Sequence, residues 1–167
     1  MRLILFITLS CYQLASAAQV ETFYLGEVVF SQIMDGNGLS NEEIYTVAND
    51  WVAHTYAHPE KVVKLTRVNS FIGGTGFQAN ALVTSLSPRV TEGMVYTFRI
   101  EIMDGKCRFL IHEIKSAGKF GSPLEYYLIR KDGTERTSRQ ARQLKASALA
   151  VAEKLISSFQ KELQKVH

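Results

Sequence analysis

The residues best equipped for chemistry are few, and their spacing argues against most reactions. His54 and His58 stand four apart, a separation that can put two imidazoles on one metal when both ride the same helix face. Thr55, however, stands where a zinc protease carries its glutamate, and no third ligand accompanies the pair. A histidine near a helix C-terminus also complements the helix dipole and the last carbonyls, and that is the role expected here. Cys107 and His112 could form a nucleophile and base only if they shared a face, but strand alternation separates them, so the thiol is expected to be buried. Gly73, Gly74, Thr75 and Gly76 are followed by Phe77 and Gln78 rather than the lysine and hydroxyl of a phosphate loop. Asp35 and Asn37 begin like a calcium loop, yet Leu39 and Thr46 occupy ligand positions, which leaves a capped turn. No Gly-x-Ser-x-Gly motif occurs. These residues therefore assign no catalytic, cofactor-binding or metal-ligating role.

The framework that must carry any other function is that of a globular chain. Of 167 residues 46% are apolar and 21% charged, with a formal charge of +3, which excludes a disordered, collagenous or disulfide-scaffold protein. The length suits one domain. Residues 1–17 read as a signal peptide: Arg2 gives a positive start, Leu3 to Leu14 form an apolar stretch too short to span a bilayer, and Ala15 and Ala17 offer small residues for cleavage. The mature chain is then expected to begin at Ala18, exported to the periplasm or secreted, with no transmembrane segment. Acylation at Cys11 is disfavoured, because Leu9 lies one place off the usual leucine and the apolar stretch would be very short. With Cys11 removed, Cys107 remains alone and no internal disulfide can form.

Periodicity places the elements. Residues 20–33 suggest a strand or two, with Phe23, Leu25, Val28 and Phe30 as apolar points, and a turn follows over Asp35 to Gly38. Ser40 and Glu43 have capping-box spacing and Leu39 with Ile44 that of a hydrophobic staple, so a helix is expected from Asn41 to about Ala57. Ile44, Val47, Ala48, Trp51 and Thr55 form its stripe, and Pro59 should keep this helix from continuing far. Lys61 to Val68 and Phe71 to Leu86 read as strands, the second with Phe77, Ala79, Ala81 and Val83 turned to the covered face. Met94 to Met103 and Lys106 to Ile114 flank Asp104-Gly105, the signature of a tight hairpin. That turn sets Met103 opposite Lys106, Ile102 opposite Cys107, Glu101 opposite Arg108 and Phe98 opposite Ile111. Residues 115–136 form a connection with a short ordered piece around Leu124 to Ile129. Thr137 and Gln140 then offer a capping box to a long amphipathic helix, over residues 137–167, striped by Ala141, Leu144, Ala148, Val151, Leu155, Phe159 and Leu163. Packed on the same sheet, it completes the order β-α-β-β-β-β-α in an α+β domain whose body covers residues 18–114.

Several of these residues resemble a known pattern. Leu25 to Val29, Leu39, Ser40, Glu43, Ile44, Tyr45 and Trp51 are followed by Val62, Val63, Ile72, Gly73 and Gly76. Tyr96 to Ile102 then lead into Asp104, Gly105, Lys106 and Arg108. Over roughly residues 25–114 this is similar to a family of exported bacterial domains of unknown function with a TATA-binding-protein-like fold, although Cys107 stands where that family usually carries an aromatic residue. The resemblance implies a curved antiparallel sheet with helices on one face and an envelope location, and it implies no activity.

If helices cover one face only, Arg99, Glu101, Lys106, Arg108, Leu110 and His112 lie on the other. The mixed charge of such a face argues against nucleic acid, whose readers present a strongly basic surface. Arg99, Glu101, Arg108 and His112 are accordingly the candidate contacts for an unknown protein or envelope component. Two other readings remain. One is an envelope enzyme with a site not legible as a motif. The other uses the C-terminal segment, where residues 115–167 carry 11 Lys and Arg against 5 Asp and Glu while residues 18–114 carry 7 against 11. Its basic helix would then bind a membrane surface or a partner.

Overall fold

The computed structural model describes residues 20–24, 28–86, 89–118 and 121–166. The expected signal segment and cleavage site, Cys11 and Leu25 lie outside the described residues. The elements run β1 (Glu21–Tyr24), β2 (Val28–Asp35), α1 (Asn41–Thr55), α2 (Pro59–Val62), β3 (Val63–Arg67), β4 (Phe71–Leu86), β5 (Arg89–Met103), β6 (Lys106–Ser116), α3 (Leu124–Leu128) and α4 (Arg139–Gln164). Six strands form one antiparallel curved sheet in the order β1-β2-β6-β5-β4-β3. Relative to the expected β-α-β-β-β-β-α order, the opening segment is two strands, and α2 and α3 are additional short helices.

The hairpin register is as its turn residues dictate. Met103 pairs with Lys106, Ile102 with Cys107, Glu101 with Arg108 and Phe98 with Ile111. Asp104 and Gly105 both take positive φ, 53° and 69°, as a type I′ turn requires. Helix α1 opens on the expected capping box: the Ser40 side chain accepts from the Glu43 amide, and the Glu43 carboxylate accepts from the Ser40 amide at 2.8 Å. Ile44, Val47, Ala48, Trp51 and Val52 are buried. Thr55 is exposed rather than part of the stripe, because the helix ends there and Tyr56 turns extended. Helix α1 ends before Pro59, as expected, and Pro59 itself opens the separate one-turn helix α2, since a proline in the first helical turn gives up an amide that has no partner anyway. The strand expected from Lys61 consequently begins at Val63.

The core lies between the sheet and the helices. Trp51, 1% exposed, sits edge-on to Phe98, Phe109, Phe159 and Tyr56, with ring centroids 5.8, 5.3, 5.7 and 5.9 Å away. Its indole nitrogen donates to Ser158 Oγ at 2.7 Å, tying α1 to α4. The apolar stripe of α4 is buried through Ala141, Leu144, Ala148, Leu155, Phe159 and Leu163, with Val151 half-buried. It packs on β4 and β2 and against α1 and α3, which leaves that stripe no surface to offer a membrane. Its cap is Ser138, accepting from the Ala141 amide, and not Thr137. Gln140 reaches instead toward the Thr84 carbonyl on β4. The ordered piece in the connection is α3, with Leu124 and Leu128 buried. The Glu125 carboxylate accepts from the Val28 amide at 2.7 Å and so fastens α3 to β2.

Strand β4 departs from its expected alternation. Phe77 is 60% exposed, and Ala79 is exposed as well, whereas Leu82 and Val83 are buried. A register shift between Gln78 and Leu82, with Asn80 at φ 51°, resets which face each residue occupies. On the near side of the bulge the inward position is Gly76, where an added Cβ would lie 2.4 Å from the Tyr96 ring. That ring fills the space Phe77 was expected to take. Strand β6 bulges similarly: Glu113 takes φ 49° and is exposed while Ile114 is wholly buried. Regular alternation would have turned the carboxylate inward.

Candidate functional site: the helix-free sheet face

Strands β5 and β6 place the four candidate residues on the face away from the helices, because Phe98, Ile100, Ile102, Cys107, Phe109 and Ile111 take the inward positions between them. Arg99 and Arg108 both converge on Glu101. Arg99 Nε lies 3.1 Å from Glu101 Oε1, and Arg108 Nε donates to Glu101 Oε2 at 2.8 Å, its terminal nitrogen meeting the same oxygen. The expected cross-strand pair is thus part of a triad with a net positive charge. The Arg99 guanidinium also lies 4.5 Å over the Phe71 ring, a cation–π contact between neighbouring strands. His112 is half-buried opposite Thr97, whose hydroxyl donates to Glu113 Oε2 at 2.7 Å. Lys106 is exposed, and Leu110 is half-buried rather than free.

Sequence reasoning missed the apolar part of this face. Ile33, Leu65 and Met103 are 63%, 66% and 71% exposed. Ile33 and Met103 border one shallow hollow of about 500 Å³ together with Glu101, Asp104, Lys106 and Arg108. Leu65, Phe71 and Arg99 border a second, about 180 Å³, that reaches His112. The available signal was strand parity: Ile33 pairs with Arg108 and must share its outward face.

The other chemically suggestive residues do not converge. His54 Nδ1 donates to the Asp50 carbonyl at 2.8 Å in the last turn of α1. His58 lies beyond that helix, 3.5 Å from Glu60, so the two imidazoles do not ride one helix. Gly73 to Gly76 lie within β4 rather than in a loop opening a helix. Asp35 accepts from the Asn37 amide at 2.7 Å, which closes the expected capped turn. Among the described residues no three of His, Cys, Asp and Glu gather to hold a metal.

Cys107 faces the core, opposite to His112, with its thiol directed at the Met34 carbonyl 3.9 Å away. Burial, aided by Asp35, pushes the thiol up to about 12. Tyr56 and Tyr96 share a hydroxyl–hydroxyl contact of 3.1 Å, and burial drives both above the ordinary phenol range. In the unfolded chain these groups lose their protons at lower pH than in the fold, so unfolding releases protons in alkali and stability falls with rising pH. The loss is expected to begin above the ordinary thiol range, about pH 8.5, and to continue toward the folded-state values. Urea melts at stepped pH measure it. In a Cys11→Ser background the Cys107 thiol should resist a disulfide reagent at pH 8 until denaturant is added; rapid labelling of the native chain would contradict its burial.

The comparisons with known proteins fit this architecture. A family profile, described as a domain of unknown function (DUF4468) with TBP-like fold, matches residues 30–116. A crystal structure of a DUF4468 family protein from Bacteroides ovatus ATCC 8483 superposes with a TM-score of 0.66 at 15% identity, covering 89% of this chain and 91% of that one. A TBP-like protein from Parabacteroides distasonis ATCC 8503 gives 0.66 at 16% identity, covering 85% and 96%. Among curated proteins the chain has no match. With the profile spanning the sheet from β2 to β6 and two solved structures repeating its fold, the chain belongs to the DUF4468 family of TBP-like domains.

Proposed function

We propose that this protein is an exported, non-enzymatic binding module that engages a protein of the bacterial envelope through the helix-free face of its sheet. The observation that carries the reading is the hollow where exposed Ile33 and Met103 border the Arg99–Glu101–Arg108 triad. Exposed apolar side chains beside fixed charges suit a protein interface, in which apolar contact supplies affinity and charge supplies orientation. Arginines alternating with glutamate suit a nucleic-acid backbone poorly. The signal-like residues 1–17 support export, and no helix among the described residues is long and apolar enough to cross a membrane.

The test is a photo-crosslinker at position 103, with one at Glu153, an exposed position of α4, as control, followed by capture from envelope extracts. Arg99→Gln with Arg108→Gln provides the loss variant; glutamates at these sites would crowd three carboxylates and confuse repulsion with lost binding. The expected result is a discrete protein adduct from position 103 that the double variant loses, with a melting temperature nearly unchanged because exposed ion pairs contribute about 0–1 kcal/mol. Equal capture from both positions, or capture undiminished in the double variant, would overturn the assignment. Mass spectrometry of the N-terminus tests export independently: a chain beginning at Ala18 is expected, and an acylated Cys11 as first residue would replace the soluble form with an anchored one.

A further inference from the structure

On the helix side of the sheet, away from that face, α4 and the C-terminal end of α1 meet the outer half of the β4–β5 hairpin around a cleft of about 660 Å³. The β4 bulge builds it. The register shift between Gln78 and Leu82, with Asn80 in the left-handed region, brings Gln78 and Asn80 to the cleft rim. Gln143 supplies a third carboxamide from α4, and two cations line the cleft, Arg89 from β5 and Lys154 from α4. Exposed Ala79 and Ala150, with half-buried Ala81 and Val151, form its apolar lining. None of the described lining residues is acidic, although the chain as a whole carries 16 Asp and Glu.

A wall of cations and carboxamides, with the Thr55 and Thr91 hydroxyls and no carboxylate among its described residues, matches a ligand that is both anionic and rich in hydroxyl groups. Arginine binds a carboxylate through two parallel hydrogen bonds, and lysine adds a point charge. Carboxamides donate and accept at once, as vicinal hydroxyls require, and the apolar lining suits the C–H face of a pyranose ring. We propose that this cleft binds a small acidic saccharide of the uronic acid class, at a site separate from the protein-binding face.

The chain carries a reporter for such binding. Its single tryptophan, Trp51, donates its indole hydrogen to Ser158, which lines the cleft. Titration of the full chain with digalacturonate, maltose and inorganic phosphate, followed by calorimetry and Trp51 emission, tests the proposal. Saturable binding of digalacturonate with a shift in emission is expected, with maltose and phosphate each at least about tenfold weaker. Arg89→Gln and Lys154→Gln, both at exposed positions, should each weaken digalacturonate about tenfold, the loss of one charge-assisted contact. Arg99→Gln with Arg108→Gln should leave it unchanged. No saturable digalacturonate binding would overturn the proposal, as would maltose binding equally well, phosphate binding equally well, or full affinity in both single variants.

Discussion

Trp51→Ala is expected to lower the stability of the fold by about 3–5 kcal/mol, the range for removing a large aromatic from a packed core. That is a large share of the 5–15 kcal/mol typical of a domain. Trp51 is the point where both long helices and the sheet meet: it contacts Phe98 and Phe109 on β5 and β6, Phe159 on α4, and Tyr56 beyond the end of α1. Truncation therefore opens a cavity whose walls belong to different elements, and no single side chain can swing across to fill it. It also leaves the Ser158 hydroxyl without its 2.7 Å donor, a smaller penalty because Ser158 lies beside an open cleft. Urea denaturation monitored by circular dichroism measures the change; Thr55→Ala, one turn further along at an exposed position, should stay within about 0.5 kcal/mol. Similar midpoints for the two variants would mean that the aromatic cluster does not hold α1 to the sheet.

Gly74→Val should be the most damaging change on the sheet itself, about 1–3 kcal/mol or more from overpacking. Gly74 pairs with Phe98 and faces inward, and a Cβ there would lie 2.5 Å from the Val62 carbonyl oxygen and 3.0 Å from the Phe98 ring. The first obstacle is backbone, at the point where α2 passes into β3, so relief requires the edge strand to move rather than a rotamer to change. Its neighbour offers a graded control. At Gly73 the nearest atom to an added Cβ is the Phe98 carbonyl oxygen at 3.3 Å, so Gly73→Ala should cost less than Gly74→Ala. Thermal melts of the alanine pair and the valine variant give the order; equal costs at 73 and 74 would show that β3 yields freely to the intruding carbon.

How much of this was legible in the sequence depends on how local the deciding interactions are. The capping box of α1 lies within four consecutive residues, Ser40 to Glu43, and needs no distant partner. The Asp104-Gly105 turn sets seven cross-strand pairs at once, from Met103–Lys106 to Thr97–His112, because a two-residue loop leaves no freedom of register. Helical spacing alone identified the α4 stripe, since its residues share a face whatever covers them. The Arg108–Glu101 contact followed directly from hairpin parity. What these features have in common is that each is decided within a few residues, or by a turn that brings two segments into forced alignment.

The remainder was decided by contacts between residues far apart in the chain. Phe77 alternates correctly with its neighbours, yet it faces outward because the Tyr96 ring occupies the space beside Gly76 and a bulge resets β4 beyond it. Arg99 joins Glu101 and stacks on Phe71 only because β4 lies beside β5. Helix α3 is held by a carboxylate reaching Val28, 97 residues away, and the cleft beside α4 exists only where the β4 bulge meets that helix. Local signals thus sufficed for the two long helices and their buried faces, the long strands and the central hairpin register. The bulges, the exposed positions of Ile33, Leu65 and Met103 and the cleft beside α4 came from tertiary structure, because a bulge costs little locally and its position is chosen by whichever distant side chain fills the core.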